Sequence, residues 1–252
     1  MYRSLLGEIY GTFILIFIGL GSILIGLSNY KFLKGTFDIP LAWGVGVTLA
    51  IYSSRKISKS HLNPAVSLYY YLKKHIGVKE LFGCWLAQCI GSLLAAFTLY
   101  FIGNNIIIEI ERQELIIRGT AESIKTAMIF SEYYPNPRAS VSVNLWEAFL
   151  LEFIGVCALI IGIDFISKKY KRLTPIYIGV LLSTLIYFIA PFTMCGLNPA
   201  RDLFPRLVAY LNGWGQLAFS VNGNLDFFFI YTIAPILAAI LTAKIFDYLK
   251  LP

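Results

Sequence analysis

The chain has 252 residues, of which 58% are hydrophobic, 15% aromatic and only 14% charged, and its mean hydropathy is +0.71. Soluble domains carry about a quarter charged residues, so this composition excludes a soluble globular protein and points to an integral membrane protein. The net charge of +7 would suit nucleic acid only with a basic surface interleaved with exposed aromatics; the basic residues lie instead in short stretches between apolar ones, which argues against nucleic-acid binding.

A membrane helix needs about 20 apolar residues. In chain order, spans are predicted at Leu5 to Leu27, Pro40 to Ser54, Leu81 to Gly103, Leu145 to Ile166, Pro175 to Pro191 and Leu225 to Tyr248. The first follows Arg3 but is too long for a signal peptide and has no small-x-small cleavage site, so it is read as a span. All six are expected to be helical, because hydrocarbon forces every backbone group to bond within its segment and the segments lack the alternation of a membrane barrel.

Leu-Asn-Pro-Ala occurs twice, at Leu62 to Ala65 and at Leu197 to Ala200. By chance, two copies of Asn-Pro-Ala in such a chain have a probability on the order of one in a thousand or less. Each copy precedes an amphipathic stretch too short to cross, Val66 to Leu72 and Leu203 to Leu211. Proline at the first helical position with asparagine as N-cap starts a helix well. Asn63-Pro64-Ala65 and Asn198-Pro199-Ala200 therefore each predict a re-entrant half-helix. Their equivalent places among two sets of three spans, with Glu8 and Glu152 opening each set, predict an inverted repeat whose half-helices meet at the midplane. The expected fold is all-α: six transmembrane helices plus two half-helices in one channel domain, with a first repeat 1–103, an external loop 104–143 and a second repeat 144–252.

Most of the 21 Lys and Arg lie in the N-terminus, around Arg55, Lys56 and Lys59, in the Lys73 to Lys79 turn, in the Lys168 to Arg172 loop and in the C-terminal tail. The positive-inside rule puts these, and both termini, in the cytoplasm. The opposite face then carries the long loop with Glu109, Glu111, Glu114, Glu122 and Glu132. Cys84, Cys89 and Cys157 are expected to be small packing residues. No cysteine pair has zinc-ligand spacing with a histidine nearby, so neither metal nor cofactor is expected.

Two half-helix N-termini at the centre of a pore place positive dipole ends there, which repels cations, and Asn63 and Asn198 can donate hydrogen bonds into it. A solute shedding water needs replacement partners at roughly 1–3 kcal/mol per group left unpaired. The backbone carbonyls of Ser58 to Leu62 and Thr193 to Leu197 are the expected partners, facing an apolar wall; Ser60, His61, Leu62, Met194, Gly196 and Leu197 thus become candidate pore-lining residues. His61 either lines the vestibule or braces its loop. An unpaired glutamate facing lipid costs about 2.5 kcal/mol or more, so Glu8 and Glu152 need partners. The Asp202 and Arg206 pair, at i,i+4 spacing, is read as a brace of the second half-helix.

Duplicated Asn-Pro-Ala boxes, the second continued by Arg201, with a glutamate opening each half, resemble the aquaporin and glycerol facilitator family over nearly the whole chain. Asp202 directly after Arg201, Arg206 four residues on, and the long loop with Ile117-Arg118-Gly119 and Tyr134-Pro135-Asn136-Pro137 resemble its glycerol-conducting branch, bacterial facilitators above all. The resemblance implies that Glu8 and Glu152 accept hydrogen bonds from the re-entrant backbone. It implies a selectivity filter of Trp43, Ile186, Cys195 and Arg201, with Trp43 facing the carbon side of a solute and Arg201 its hydroxyls. Ile186 and Cys195 depart from the branch, which usually has glycine and an aromatic there. Tyr231 departs where proline is usual, and Lys59 and Ser60 replace a small Gly-Ala pair. A thiol at 195 predicts mercury block.

The expected function is a passive channel for glycerol, small polyols and some water in the cell membrane, as a homotetramer embedded in lipid. The alternatives are a water-selective channel and, behind it, a coupled transporter. The residues of the first span, Gly7, Gly11, Gly19 and Gly26, show only that helices approach closely somewhere. No set of groups suited to catalysis converges, so an enzyme is not expected.

Overall fold

The computed structural model describes residues 2–28, 38–220 and 225–249; the last basic residue of the C-terminal tail, counted above with the cytoplasmic segments, lies outside them. The long helices are α1 (Tyr2–Leu27), α2 (Asp38–Ser54), α4 (Val78–Gln113), α6 (Leu145–Lys169) and α7 (Thr174–Thr193). A sixth crossing runs through α9 (Asp226–Phe228), a π turn (Phe229–Ile233) and α10 (Ala234–Tyr248). Between them lie α3 (Pro64–Leu72), a short α5 (Ile124–Ala127) and α8 (Pro199–Ala209). At 1.5 Å per residue, α3 and α8 reach only about half-way through a hydrocarbon core of about 30 Å. Five of the six crossings are long and apolar enough to span by themselves, and α2, with 17 residues, is the shortest.

The packing is that of an inverted repeat. α1 packs on α2 and α4 as α6 packs on α7 and α10. Each half-helix packs on the third helix of the other half, α3 on α10 and α8 on α4, so the halves interlock. α2 and α7 cross through Gly44 and Gly179, where a β-carbon on Gly44 would lie 2.5 Å from the Gly179 carbonyl oxygen. The glycines of α1 act within the chain: Gly11 seats Leu62, Gly7 seats Ser58 and Gly19 lies under the Trp43 ring. Gly155, three residues after Glu152 as Gly11 is after Glu8, seats Leu197 in the same way, at 2.6 Å in both cases.

Two elements differ from the sequence expectation. α4 continues ten residues beyond Gly103, to Gln113, because Ile107 and Ile110 are buried and Glu111 is paired with Arg118 at 2.8 Å. The following segment therefore starts as helix and then folds back over the bundle, with Arg118 stacked 4.2 Å over Trp214. The sixth crossing is interrupted by its π turn, which carries the buried Tyr231.

Alanine at Gly44 or Gly179 forces two backbones apart, and such overpacking typically costs ~1–3 kcal/mol. Thermal unfolding in detergent is expected to show a clear drop for either variant. Gly77→Ala, where a β-carbon meets nothing within 4 Å, is expected to leave the midpoint nearly unchanged.

Candidate functional site: a two-ended pore

α3 and α8 begin alike. Asn63 and Asn198 are extended N-caps (φ −155° and −143°), and each side-chain oxygen accepts from the backbone N–H two residues on, at 2.9 and 3.0 Å. Each amide nitrogen crosses to the other half: Asn63 Nδ2 donates to the Leu197 carbonyl and Asn198 Nδ2 to the Leu62 carbonyl, both at 2.9 Å. A carboxamide has two N–H donors, so one on each asparagine stays available, and both residues line the central cavity. Pro64, Ala65, Pro199 and Ala200 are buried behind them at the half-helix starts.

The segments leading into the half-helices have an unusual backbone. Ser60 and Leu62 in the first, and Met194, Cys195 and Leu197 in the second, have φ between 49° and 68°. Left-handed non-glycine residues cost about 1–3 kcal/mol each and persist only where the surroundings hold them. Glu8 and Glu152 are fully buried and supply that hold. Glu8 accepts from the N–H groups of His61 and Leu62, both at 2.9 Å, and from Gln88 Nε2 at 3.0 Å. Glu152 accepts from the N–H groups of Gly196 and Leu197, at 2.9 and 2.7 Å, and from the Thr193 hydroxyl at 2.6 Å. Hydrogen bonds to a charged acceptor contribute roughly 1.5–3 kcal/mol each, enough to offset the strain. Four N–H groups of these segments are thereby turned to the glutamates, while residues 58–62 and 194–197 border the central cavity.

That cavity, of about 870 Å³, runs from Arg55, Lys59 and His75 on the face where α1 begins to Asn136, Arg138 and Tyr187 on the opposite face. Ser60, His61, Leu62, Met194, Gly196 and Leu197 line it, together with the apolar side chains of Val47, Ile51, Val66, Leu159, Ile163 and Ile178. Trp43, Ile186, Cys195 and Arg201 all line it as well, each at most 5% exposed. The Arg201 guanidinium stands 4.7 Å over the Trp43 ring. Its Nη2 is ion-paired with Glu132, while Nη1 has no hydrogen-bond partner among the described residues. His61 does both things open to it: it lines the cavity and its Nδ1 lies 3.2 Å from the Ser67 hydroxyl, which Gln88 links back to Glu8.

Asp202 and Arg206 do not line the cavity. They are fully buried and paired at 2.7 Å. Asp202 accepts from the Glu132 N–H at 3.0 Å, and Arg206 donates to the Glu132 carbonyl and, at 2.7 Å, to the Ala218 carbonyl. The pair thus ties the long loop to α8 and delivers the Glu132 carboxylate to Arg201. In sequence Glu132 is one acidic residue of a long loop with nothing to single it out, whereas Gln88, a lone amide within an apolar span, carries the signal of a buried polar role. Tyr231 donates to the Thr193 carbonyl at 3.0 Å and packs against Gly196, bracing the second re-entrant segment from behind.

Residues 1–246 match the family described as Major intrinsic protein. A protein named glycerol uptake facilitator from Pseudomonas aeruginosa is 35% identical over 249 residues, covering 96% of this chain and 87% of that one. The protein of the same name from Haemophilus influenzae is 34% identical, covering 96% and 91%. A propanediol uptake facilitator from Citrobacter freundii is 31% identical, covering 97% and 90%. Among solved structures, the aquaglyceroporin from Plasmodium falciparum superposes with a TM-score of 0.79 over 100% of this chain and 97% of that one, at 21% identity, a likeness of fold.

Glu152→Ala would leave one hydroxyl and two N–H groups without their acceptor, each worth about 1–3 kcal/mol. A loss on the order of 3 kcal/mol or more is expected in thermal unfolding of the purified protein, with Glu152→Gln, which keeps one acceptor oxygen, intermediate.

Proposed function

The chain belongs to the major intrinsic protein family, and we propose that it is a passive membrane channel for glycerol and other small uncharged solutes, with some water permeability and exclusion of ions and protons. The observation behind this reading is a cavity reaching both faces, lined by the two re-entrant segments and by apolar side chains. A polyol passes with its hydroxyls on the carbonyls held by Glu8 and Glu152 and its carbons against the apolar side.

At the centre, the positive ends of α3 and α8 disfavour cations. The free amide N–H groups of Asn63 and Asn198 orient the solute there, and a file of molecules held between them breaks the chain that proton hopping needs. At the filter, Arg201 Nη1 donates to a hydroxyl while Trp43, Ile186 and the Cys195 thiol offer apolar contact. Glu8 and Glu152 each accept three hydrogen bonds within the protein, which disfavours a coupled transporter that would need them to exchange protons. The chain is a multi-pass membrane protein; we place it in the cell membrane with both termini and the Arg55, Lys73 and Lys168 segments in the cytoplasm, as a homotetramer with one pore per subunit.

A water-selective channel is the second reading. Ile186 favours it, since a branched side chain at the narrowest region reduces the room for a polyol.

In purified protein reconstituted into vesicles, light scattering under a glycerol gradient is expected to show fast, non-saturating entry well above that of protein-free vesicles. Water efflux under a sucrose gradient with no glycerol entry would favour the second reading. Mercury is expected to slow the wild type and to have little effect on Cys195→Ala. Ile186→Gly is expected to speed glycerol entry relative to water.

A further inference from the structure

The positive-inside rule explains why the loops of the cytoplasmic face are basic. It does not explain why two of these side chains line the pore. Arg55 and Lys59 both border the cavity at its inner end, with Ser58, His61, His75 and Ser167 beside them. Among the described residues no aspartate or glutamate lines the cavity. A neutral solute can take hydrogen bonds from these cations, but only an anion also gains from their charge.

Both cations keep donors to spare. The Arg55 guanidinium lies 4.5 Å over the Tyr52 ring and makes one long bond, 3.4 Å, to the Arg172 carbonyl. Lys59 Nζ donates to the His75 carbonyl at 2.8 Å and stands 3.7 Å from Glu80. A guanidinium has five N–H donors and an ammonium three, so most of theirs are uncommitted. The Lys59 contacts hold its stem across the mouth, from the first re-entrant segment to the α3–α4 turn. The Tyr52 hydroxyl reaches the same Arg172 carbonyl as Arg55, at 3.4 Å, which brings the basic α6–α7 turn to the same rim.

We propose that the inner mouth is a binding site for a phosphate group, carried by inorganic phosphate or a small phosphate ester, and that its occupancy closes the pore from the cytoplasmic side. The inference rests on the channel reading for its functional consequence and its sidedness. Arg55 and Lys59 supply charge-assisted donors, the strongest class for such an anion, and the seryl hydroxyls complete its shell. Passage further inward is blocked: beyond the mouth the wall of Val66, Leu159 and Ile163 would strip water from a charged group without replacing it. The anion therefore lodges where the neutral solute must leave or enter. The same chemistry is present in an anionic lipid headgroup at the rim, and the test separates the two sources.

Glycerol entry into phosphatidylcholine vesicles is compared in inorganic phosphate and in chloride at equal ionic strength, for wild type, Arg55→Met/Lys59→Met and Lys59→Arg, each scored against its own rate in chloride. Calorimetric titration of the detergent-solubilised proteins with inorganic phosphate runs alongside. The proposal expects saturable slowing in wild type and Lys59→Arg, and an inhibitory concentration raised about tenfold or more in the double variant, as expected for loss of two charge-assisted contacts. Fast entry in chloride with no effect of phosphate on rate or heat overturns the site and leaves the channel reading intact. No entry even in chloride, with phosphate heat present in wild type and absent in the double variant, supports the site and overturns the channel reading. Slowing that appears only when phosphatidylglycerol is added to the vesicles assigns the site to lipid and overturns the soluble-anion proposal.

Discussion

Everything at the centre of this molecule depends on two buried carboxylates, each accepting a pair of backbone N–H groups from a re-entrant segment. A glutamate inside a membrane is costly unless it is paired, and a backbone with successive left-handed non-glycine residues is costly unless it is held. Here each problem is the solution of the other. Glu8 and Glu152 find their partners in the N–H groups at 61 and 62 and at 196 and 197. The turned segments are held where they border the cavity. The asparagines add a second lock, since each amide holds the carbonyl of the other half. The two half-helices are thereby fixed tip to tip.

The two halves share this frame and differ in what they add to it. After the first box, Val66 lies in the position that Arg201 occupies after the second, and Ser67 lies in that of Asp202. The first half is finished by a neutral network, in which Gln88 joins Glu8 to Ser67 and His61 stacks 4.8 Å from Tyr70. The second is finished by charge, with Arg201, Glu132, Asp202 and Arg206 all buried together. Such a cluster is stable only as a complete set, because removing one member leaves an uncompensated buried charge. The symmetric frame borders the cavity from both halves, and the asymmetric charges place Arg201 on its wall in one half only. The glycerol reading draws on both.

The frame was legible because it depends on local chemistry. Pro64 and Pro199 at helix starts, asparagine caps before them and a glutamate opening each half are short-range signals, and their duplication carries the topology. Trp43 and Arg201 were placed by likeness to the family, and they do meet over one cavity. What sequence left hidden depends on contacts between distant segments. Glu132 sits 70 positions from Asp202, and no spacing rule connects them. The far end of α4 was hidden for a related reason: the expected span ends at Gly103, yet burial of Ile107 and Ile110 keeps the helix going to Gln113. The glycines of α1 were visible as close-contact positions, but only the fold assigns them to Leu62, Ser58 and Trp43.

The most direct measurement is an experimental structure of the protein saturated with glycerol at a resolution that separates solute hydroxyls from carbons. Solute density is expected along the cavity with hydroxyls within hydrogen-bond distance of the carbonyls of residues 58–62 and 194–197 and of the Asn63 and Asn198 amides, and with carbon atoms toward Trp43 and the apolar wall. Solute with hydroxyls on the apolar side, or bound to Glu8 or Glu152 in place of the backbone N–H groups, would contradict this reading.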